Sequence, residues 1–241
     1  MPLRIGCDLD GVLADMETAL VREAETLFGP SISRPAADAS APHASMADLV
    51  PPEVAEDAPL QHELHLTSKQ RRKLWAHVSG IEHFWESLDE TEPGIVARLA
   101  ALAAERRWEI IFLTRRPATA GALAQVQSQR WLEAKGFRLP SVYVVTASRG
   151  LIASGLTLDI VIDDTPENCV DVASDSRART IGVFRGQQAP AAALKAMGIH
   201  LVTSTAEALD LLVEIDTSLE QQPGALERVM RTLGLKQSAT A

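Results

Sequence analysis

Residues 3–11 read LRIGCDLDG, and this stretch decides the fold because a short apolar run stops at a pair of acidic residues. Leu3–Cys7 is mostly apolar, and Asp8, Asp10 and Gly11 follow it directly. Such a pattern predicts a buried strand that runs out into a polar loop, where glycine permits a sharp turn. We therefore predict a core strand that presents two carboxyl groups at its carboxyl end.

The chain beyond Pro93 alternates between short apolar runs and stretches with helical periodicity. The runs are apolar on both faces, which is typical of strands in a parallel sheet covered by helices. We therefore predict an α/β fold. The predicted strands are 109–113, 141–145, 159–162, 180–183 and 200–202, and the predicted helices are 93–107, 118–135, 204–215 and 223–233.

A segment of different character precedes this region, and we predict that it is an inserted, mostly helical cap. Residues 15–28 show helical periodicity, whereas 29–60 are dominated by Pro, Ala, Ser and His. A structureless loop of that length is unusual in a compact core. A further helix is predicted over 67–79, with Thr67 or Ser68 as its N-cap. The predicted organisation is a core of 1–15 and 93–235, a cap at 16–92 and a tail at 236–241.

Composition and charge argue against several classes of protein. The chain has 241 residues, 46% of them hydrophobic, which suits one α/β core with an insertion. The net charge of −9 argues against a nucleic-acid polymer as partner, since proteins that bind such polymers expose basic surfaces. Two cysteines without metal-like spacing, a polar N-terminus without a signal peptide and no apolar run of about 20 residues predict a cytoplasmic protein outside the membrane.

Polar side chains follow three of the predicted strands, and a parallel sheet gathers such strand ends at one edge. The set comprises Asp8 and Asp10, Thr114 with Arg115 and Arg116, and Asp163 with Asp164. The carboxylates would repel one another without a cation, and their hard oxygen ligands suit Mg²⁺. We therefore predict Mg²⁺ as the cofactor, with the four aspartates as its ligands.

The same cluster predicts a reaction on a small phosphorylated substrate. Asp8 is placed to attack phosphorus and form an aspartyl-phosphate. Asp10 is placed to donate a proton to the leaving oxygen and then to deprotonate the water that releases phosphate. Thr114 is expected to bind a phosphoryl oxygen, and Arg149 to supply a cation that holds the phosphate, with Arg115 as a further phosphate-binding candidate.

These motifs resemble those of the haloacid dehalogenase (HAD) superfamily. Residues 8–13 (DLDGVL) resemble its first motif, Thr114 after EIIFL its second, Arg149 its basic third motif and Asp163-Asp164 its acidic fourth motif. The resemblance implies a Rossmann-like sheet, magnesium dependence and the aspartyl-phosphate route. DLDGVLADMETAL, LTRRP and VIDDTPEN further resemble the 5'(3')-deoxyribonucleotidase branch, which implies a helical cap and a nucleotide monophosphate as substrate. Arg149 replaces the lysine usual at the third motif.

Several residues carry two interpretations. Asp15 is either a helix N-cap or a catalytic group, and the N-cap is favoured. Arg115 and Arg116 are either a solvated pair or line the substrate entrance, and Asn168 either orients a carboxylate or caps a helix. Three aromatic residues either pack in the core, which is favoured, or stack on a base or cover the pocket: Trp75, Phe84 and Trp85. The histidines fit no standard zinc spacing: His43, His62, His65, His77 and His83.

Other functions stay open at this stage. A phosphotransferase would use the same intermediate and pass phosphate to an alcohol, and a phosphatase could act on another small metabolite. A dehalogenase needs no Mg²⁺, so the acidic pair after the fourth strand argues against it. The alternative of a different class is a catalytically silent HAD-like binding module.

Overall fold

The computed structural model describes residues 2–33, 66–185 and 191–220, which contain a six-stranded sheet whose strand pairs are all parallel. The strand order is β3-β2-β1-β4-β5-β6, so the order reverses at β1. Right-handed crossovers place helices on both faces of such a sheet. The predicted α/β, Rossmann-like fold is confirmed. The strands are β1 (Arg4–Asp8), β2 (Glu109–Thr114), β3 (Ser141–Val144), β4 (Ile160–Asp163), β5 (Arg179–Val183) and β6 (His200–Val202).

The described helices lie between consecutive strands, three of them in the segment between β1 and β2, except for one helix that follows β6. The described part of that segment also contains two short 3₁₀ turns, Pro30–Ser33 and Phe84–Glu86. The predicted helix 223–233 and tail 236–241 lie outside the described residues, as do His43, His62 and His65. The helices are α1 (Met16–Phe28), α2 (Ser68–Val78), α3 (Ile95–Arg106), α4 (Ala124–Ala134), α5 (Arg149–Gly155), α6 (Pro166–Asp175), α7 (Ala191–Ala196) and α8 (Thr205–Glu220).

Two of the predicted helix starts are confirmed by their capping contacts. The side chain of Asp15 accepts a hydrogen bond from the backbone N–H of Thr18 at 3.0 Å and so caps α1. Thr67 caps α2 in a reciprocal capping box with Gln70. Asp15 is thus a structural residue, as favoured from its sequence context.

The predicted helix 118–135 is too long at its start. Helix α4 begins only at Ala124, because the side chain of Gln127 donates to the carbonyls of Ala120 and Ala122 at 3.3 and 2.6 Å. Gly121 between them has a φ of 89°, which is incompatible with a right-handed helix. A tertiary arrangement of side chain and loop therefore overrides the helical periodicity.

The core lies where helices α5 and α6 cover β2 and β4. One buried cluster joins these elements: Ile111, Leu113, Ala153, Leu158, Val161, Val172 and Ala178. All four residues of β4 are buried, as expected for a central parallel strand. This packing fixes the carboxyl ends of the central strands.

The chain forms two compact units, residues 1–208 and 209–241. In the second unit, the described residues Leu209 to Glu220 are helical and form the end of α8. The division into a core at 1–15 and 93–235 and a cap at 16–92 stays a prediction. None of the described helices has the length and apolar character needed to cross a bilayer.

Candidate active site

The candidate site lies where β1 is flanked by β2 and β4. Asp8 is level with Leu113 in β2, and Cys7 is level with Ile162 in β4. Thr114 and Asp163 are the next residues of those strands, so both lie beside Asp8. Ligands of open α/β sheets bind at this edge, at the point where the strand order reverses.

Arg149 is the first residue of α5 and reaches the acidic cluster. Its Nη2 donates to Oδ1 of Asp8 at 2.5 Å, and its Nε lies 3.5 Å from Oδ2 of Asp163. The side chain is only 2% exposed. Nε and Nη1 are buried and make no hydrogen bond with the described part of the chain. Nε therefore faces the carboxylate of Asp163, and Nη1 is a donor of this buried cation that an anion could use.

Gly150 permits this placement of Arg149. A Cβ at Gly150 would overlap the backbone carbonyl of Asp171 in α6, so any other residue would push α5 away from α6. Close packing of these two helices thus seats the preceding arginine against the carboxylates.

Both carboxylate oxygens of Asp10 are hydrogen-bonded. Arg116 Nε lies 2.9 Å from Oδ1 and 3.0 Å from Oδ2, and Arg116 Nη2 lies 2.7 Å from Oδ1. Thr114 Oγ1 donates to Oδ2 at 2.9 Å. Thr114 therefore contacts the second aspartate of the first motif, and Arg116 joins the site.

Whereas Arg116 binds the carboxylate of Asp10, Arg115 is hydrogen-bonded to a backbone carbonyl. Its Nη2 donates to the carbonyl of Ala147 at 3.5 Å, and its role in phosphate binding stays a prediction. The sequence contained a signal for Arg116, since Thr114 and Arg116 are two residues apart. That spacing puts side chains on one face of an extended chain, whereas Arg115 falls on the other.

Asp163 is oriented by residues that follow it. Its Oδ1 accepts from the backbone N–H of Thr165 at 2.9 Å and from Nδ2 of Asn168 at 3.1 Å. Asn168 thus orients a carboxylate, while Thr165 is the N-cap residue of α6. Oδ2 of Asp163 makes no hydrogen bond within the described residues.

Asp164 lies against the turn that follows Asp10. Gly11 has a φ of 84°, and a Cβ at this position would overlap Oδ2 of Asp164. The turn after Asp10 therefore requires glycine both for its backbone conformation and for the space that the carboxylate occupies. The role that the sequence predicts for Gly11 is confirmed and extended.

Burial raises the pKa of three carboxyl groups in the cluster, those of Asp8, Asp163 and Asp164. Burial raises the pKa of Asp8 well above its ordinary value, and the charge of Asp163 adds to this while Arg149 opposes it. The pKa of Asp164 is raised well above its ordinary value by burial and by Asp163. Burial also raises the pKa of Asp163, against the effect of Arg149. A divalent cation would offset the cost of gathering these charges.

These residues fit a magnesium site that water completes. Within the described residues, no group of three or more His, Cys, Asp or Glu side chains is arranged so that the side chains alone could hold a metal ion. Mg²⁺, however, keeps several waters and binds through one or two carboxylates. The unbonded Oδ2 of Asp163 and the crowded carboxyl groups of Asp8 and Asp164 suit such a site. Since Arg116 and Thr114 occupy the carboxylate of Asp10, its backbone carbonyl is the atom left to offer.

The aromatic residues of the segment between β1 and β2 are buried. Trp85 is 0% exposed, and its indole Nε1 donates to the carbonyl of Pro117 at 3.0 Å. Its ring lies 4.9 Å from the guanidinium of Arg116. Trp75 and Phe84 are also buried. The favoured interpretation of these aromatics as core residues is confirmed.

The described histidines of this segment pair with carboxylates. His77 lies 2.8 Å from Glu23, and His83 lies 2.9 Å from Glu86.

Solved structures of other proteins share this fold. No protein-family model and no curated protein sequence matches the chain. A HAD family hydrolase from Deinococcus radiodurans R1, solved with bound phosphate and sodium, has a TM-score of 0.55 at 16% identity over 88% of this chain and 96% of that chain. A candidate β-phosphoglucomutase from Thermotoga maritima has a TM-score of 0.53 at 19% identity over 88% of this chain and 99% of that chain. A hydrolase from Pseudomonas syringae has a TM-score of 0.52 at 17% identity over 89% of this chain and 99% of that chain.

At identities this low, the TM-scores demonstrate a shared fold but not a shared activity or substrate. The resemblance to the HAD superfamily is thus supported at the level of the fold, and the 5'(3')-deoxyribonucleotidase branch stays a prediction. The chain has the fold seen in haloacid dehalogenase-like hydrolases, and its acidic cluster lies at the edge where open α/β sheets generally bind ligands.

Proposed function

We propose that the protein is a magnesium-dependent phosphomonoester hydrolase that acts through an aspartyl-phosphate at Asp8. The observation that carries this proposal is the buried position of Arg149, within reach of both Asp8 and Asp163. A buried arginine that pairs with two carboxylates and keeps Nη1 free of hydrogen bonds within the described residues suits a phosphoryl group that one of those carboxylates attacks. The bound phosphate in the structurally similar hydrolase from Deinococcus radiodurans R1 supports the same class of ligand.

The proposed reaction has two steps. An oxygen of Asp8 attacks phosphorus, the bond to the leaving oxygen breaks, and that oxygen takes a proton from Asp10. Water then attacks phosphorus and gives a proton to Asp10, and the bond between phosphorus and Asp8 breaks, which releases phosphate. Asp10 must enter the first step protonated, at the oxygen to which the Thr114 hydroxyl donates in this structure. That hydroxyl would therefore turn to a phosphoryl oxygen when substrate binds, and Arg149 would bind the other phosphoryl oxygens.

The proposed ligands of Mg²⁺ are the carboxylate of Asp8, the backbone carbonyl of Asp10 and one carboxylate of the pair Asp163 and Asp164, while the other carboxylate of that pair would hold a water bound to the metal. The ion would neutralise charge on the attacking carboxylate and on the phosphate, whose approach is otherwise unfavourable. Asn168 supports this arrangement because it holds Asp163 from behind.

The proposed substrate is a small phosphorylated metabolite, with a nucleotide monophosphate as the first candidate on the strength of the sequence resemblance. A polymer of nucleic acid does not suit the net charge of −9. Since Trp85 is buried against Arg116, it does not provide a surface on which a base could stack.

A phosphotransferase is the second candidate, because one structurally similar protein is named as a β-phosphoglucomutase. The same aspartyl-phosphate would then pass to a sugar hydroxyl in place of water. Product analysis with added hexose phosphates separates the two reactions.

The test is phosphate release from a panel of phosphomonoesters, nucleotides included, with Mg²⁺ and then with EDTA. We expect release that needs Mg²⁺, and no release by Asp8→Asn, which keeps the fold but removes the nucleophile. Asp89→Asn is the matched control, since Asp89 is an exposed aspartate paired with Arg22. Turnover by Asp8→Asn would rule out the covalent route. Silence of the folded wild-type protein across the panel would favour a binding module.

A further inference from the structure

Arg116 is a buried arginine whose three guanidinium nitrogens all have partners. Nε and Nη2 bind Asp10, and Nη1 donates to Oγ of Ser128 at 3.0 Å. The rings of Trp85 and Trp131 lie 4.9 and 5.8 Å from the guanidinium carbon. The side chain is 0% exposed, so its charge is balanced by these partners and not by water.

The contact with Asp10 defines the orientation of its carboxyl group. Because Arg116 reaches both oxygens and Thr114 reaches one of them, rotation of the carboxyl group about its own bond would break several hydrogen bonds. The backbone N–H of Arg116 also donates to Oγ1 of Thr114 at 3.3 Å. A planar fork that binds two oxygens is particular to arginine, and lysine offers only a point charge.

The groups around Arg116 are themselves held in place. Ser128 Oγ donates to the carbonyl of Ala124 at 2.7 Å, one turn earlier in α4. Trp131 Nε1 donates to the carbonyl of Leu88 at 2.7 Å, and Trp85 Nε1 donates to that of Pro117. Such a surrounding shell is what keeps a reacting group within a narrow range of orientations.

We propose that Arg116 is a positioning residue that holds the carboxyl group of Asp10 for both proton transfers of the reaction. The inference rests on the proposed function. Loss of the fork leaves Asp8, Arg149 and the phosphoryl group in place, but Asp10 no longer has a fixed orientation toward the leaving oxygen or the attacking water.

The variants that test this are Arg116→Met and Arg116→Lys, with Arg130→Met as the matched control. Arg130 lies on α4, the helix that carries Ser128, and like Arg116 it pairs with a carboxylate, Glu86, at 3.2 Å, but it is half exposed. The substrates are p-nitrophenyl phosphate, whose leaving group needs no proton, and an alkyl phosphate, whose leaving group does. The readouts are kcat/KM for each substrate, kcat, and the early release of p-nitrophenolate.

We expect kcat/KM for the alkyl phosphate to fall by about 10²–10⁴-fold, the range that acid–base catalysis contributes. The value for p-nitrophenyl phosphate should fall far less, because its phosphorylation step needs no acid. Hydrolysis of the aspartyl-phosphate still needs Asp10 as base, so kcat falls and an early burst of p-nitrophenolate appears. Arg130→Met should keep the wild-type ratio between the two substrates.

A merely structural role would lower the active fraction and leave the ratio between substrates unchanged, which would overturn the inference. A wild-type ratio in Arg116→Lys would overturn it as well, and this variant keeps the buried charge if Arg116→Met does not fold. In either case, if the wild-type protein turns over phosphoesters and Asp8→Asn does not, the proposed function is still supported. A wild-type protein that hydrolyses neither substrate nor any other phosphoester would overturn both.

Discussion

Gly11→Ala should have two effects, a loss of folding free energy from the backbone conformation at residue 11 and a weaker metal site. Alanine at a φ of 84° costs about 1–2 kcal/mol of folding free energy, because its Cβ meets the following carbonyl. The same Cβ would overlap Oδ2 of Asp164, so that carboxylate must move. Displacement of a group that holds or orients a metal typically changes metal affinity or activity by about 10–100-fold.

Gly198→Ala is the matched control for the conformational cost. Gly198 has a φ of 81°, and a Cβ there would have nothing within 4 Å. Both variants should therefore lower the free energy of unfolding by about 1–2 kcal/mol in urea titrations without metal. Only Gly11→Ala should also raise the Mg²⁺ concentration that gives half-maximal phosphate release, by about 10–100-fold.

Two outcomes would contradict this reasoning. A wild-type Mg²⁺ dependence in Gly11→Ala would mean that Asp164 has no part in binding the ion. An equal change in Gly198→Ala would mean that the Mg²⁺ dependence only reflects lower stability, because this control leaves the carboxylate cluster untouched.

Three further predictions follow from the contacts described above. Arg149→Met should lower kcat/KM by about 10²-fold and weaken inhibition by inorganic phosphate, since a hydrogen bond to a charged group contributes about 1.5–3 kcal/mol; an unchanged inhibition constant would remove Arg149 from phosphate binding. Trp85→Ala should lower the free energy of unfolding by about 3–5 kcal/mol and reduce turnover of nucleotides and aryl phosphates alike, whereas a loss confined to nucleotides would indicate base stacking. Burial raises the pKa of Glu92, but hydrogen bonds from Arg185 and from two backbone N–H groups outweigh this and hold the pKa below its ordinary value of 4.5. The stabilisation is therefore present above pH 4.5 and lost as the pH falls through the lower folded value. Glu92→Gln should lower the melting temperature at neutral pH but not in strong acid, while Glu82→Gln, at an exposed position, should change neither.

The strands could be predicted from the sequence because their apolar runs end at polar residues. His200–Val202 matches its prediction, and the predicted strand 159–162 differs from Ile160–Asp163 by one residue. Helix α4 could not be placed as well, since its start depends on Gln127 folding back onto the preceding loop. A contact of that kind leaves no trace in hydrophobic periodicity.

The site could be predicted in outline because a parallel sheet brings strand ends together. Asp8, Thr114 and Asp163 needed only their positions after apolar runs, together with the expectation that their strands are neighbours. The choice between Arg115 and Arg116 was harder, because a basic pair in a loop looks like a solvated surface. What distinguishes Arg116 is the pocket that α4 and the turn at Trp85 form around it, and that pocket exists only in the folded chain.

Residues 16–92 follow the loop that carries Asp10, and the last residues of this segment are hydrogen-bonded back to that loop. Asp15 donates its backbone N–H to the carbonyl of Asp89 at 2.9 Å, and Thr91 donates to the carbonyl of Leu13 at 2.8 Å. Thr91 Oγ1 also donates to the carbonyl of Val12 at 2.7 Å. Trp85, within the same segment, packs against Arg116, which binds the carboxylate of Asp10. The segment therefore contacts the loop of the proposed acid–base group directly and also contacts the arginine that orients it. Substitutions there should therefore change kcat as well as KM, because they act on the orientation of a reacting group in addition to the fit of the substrate.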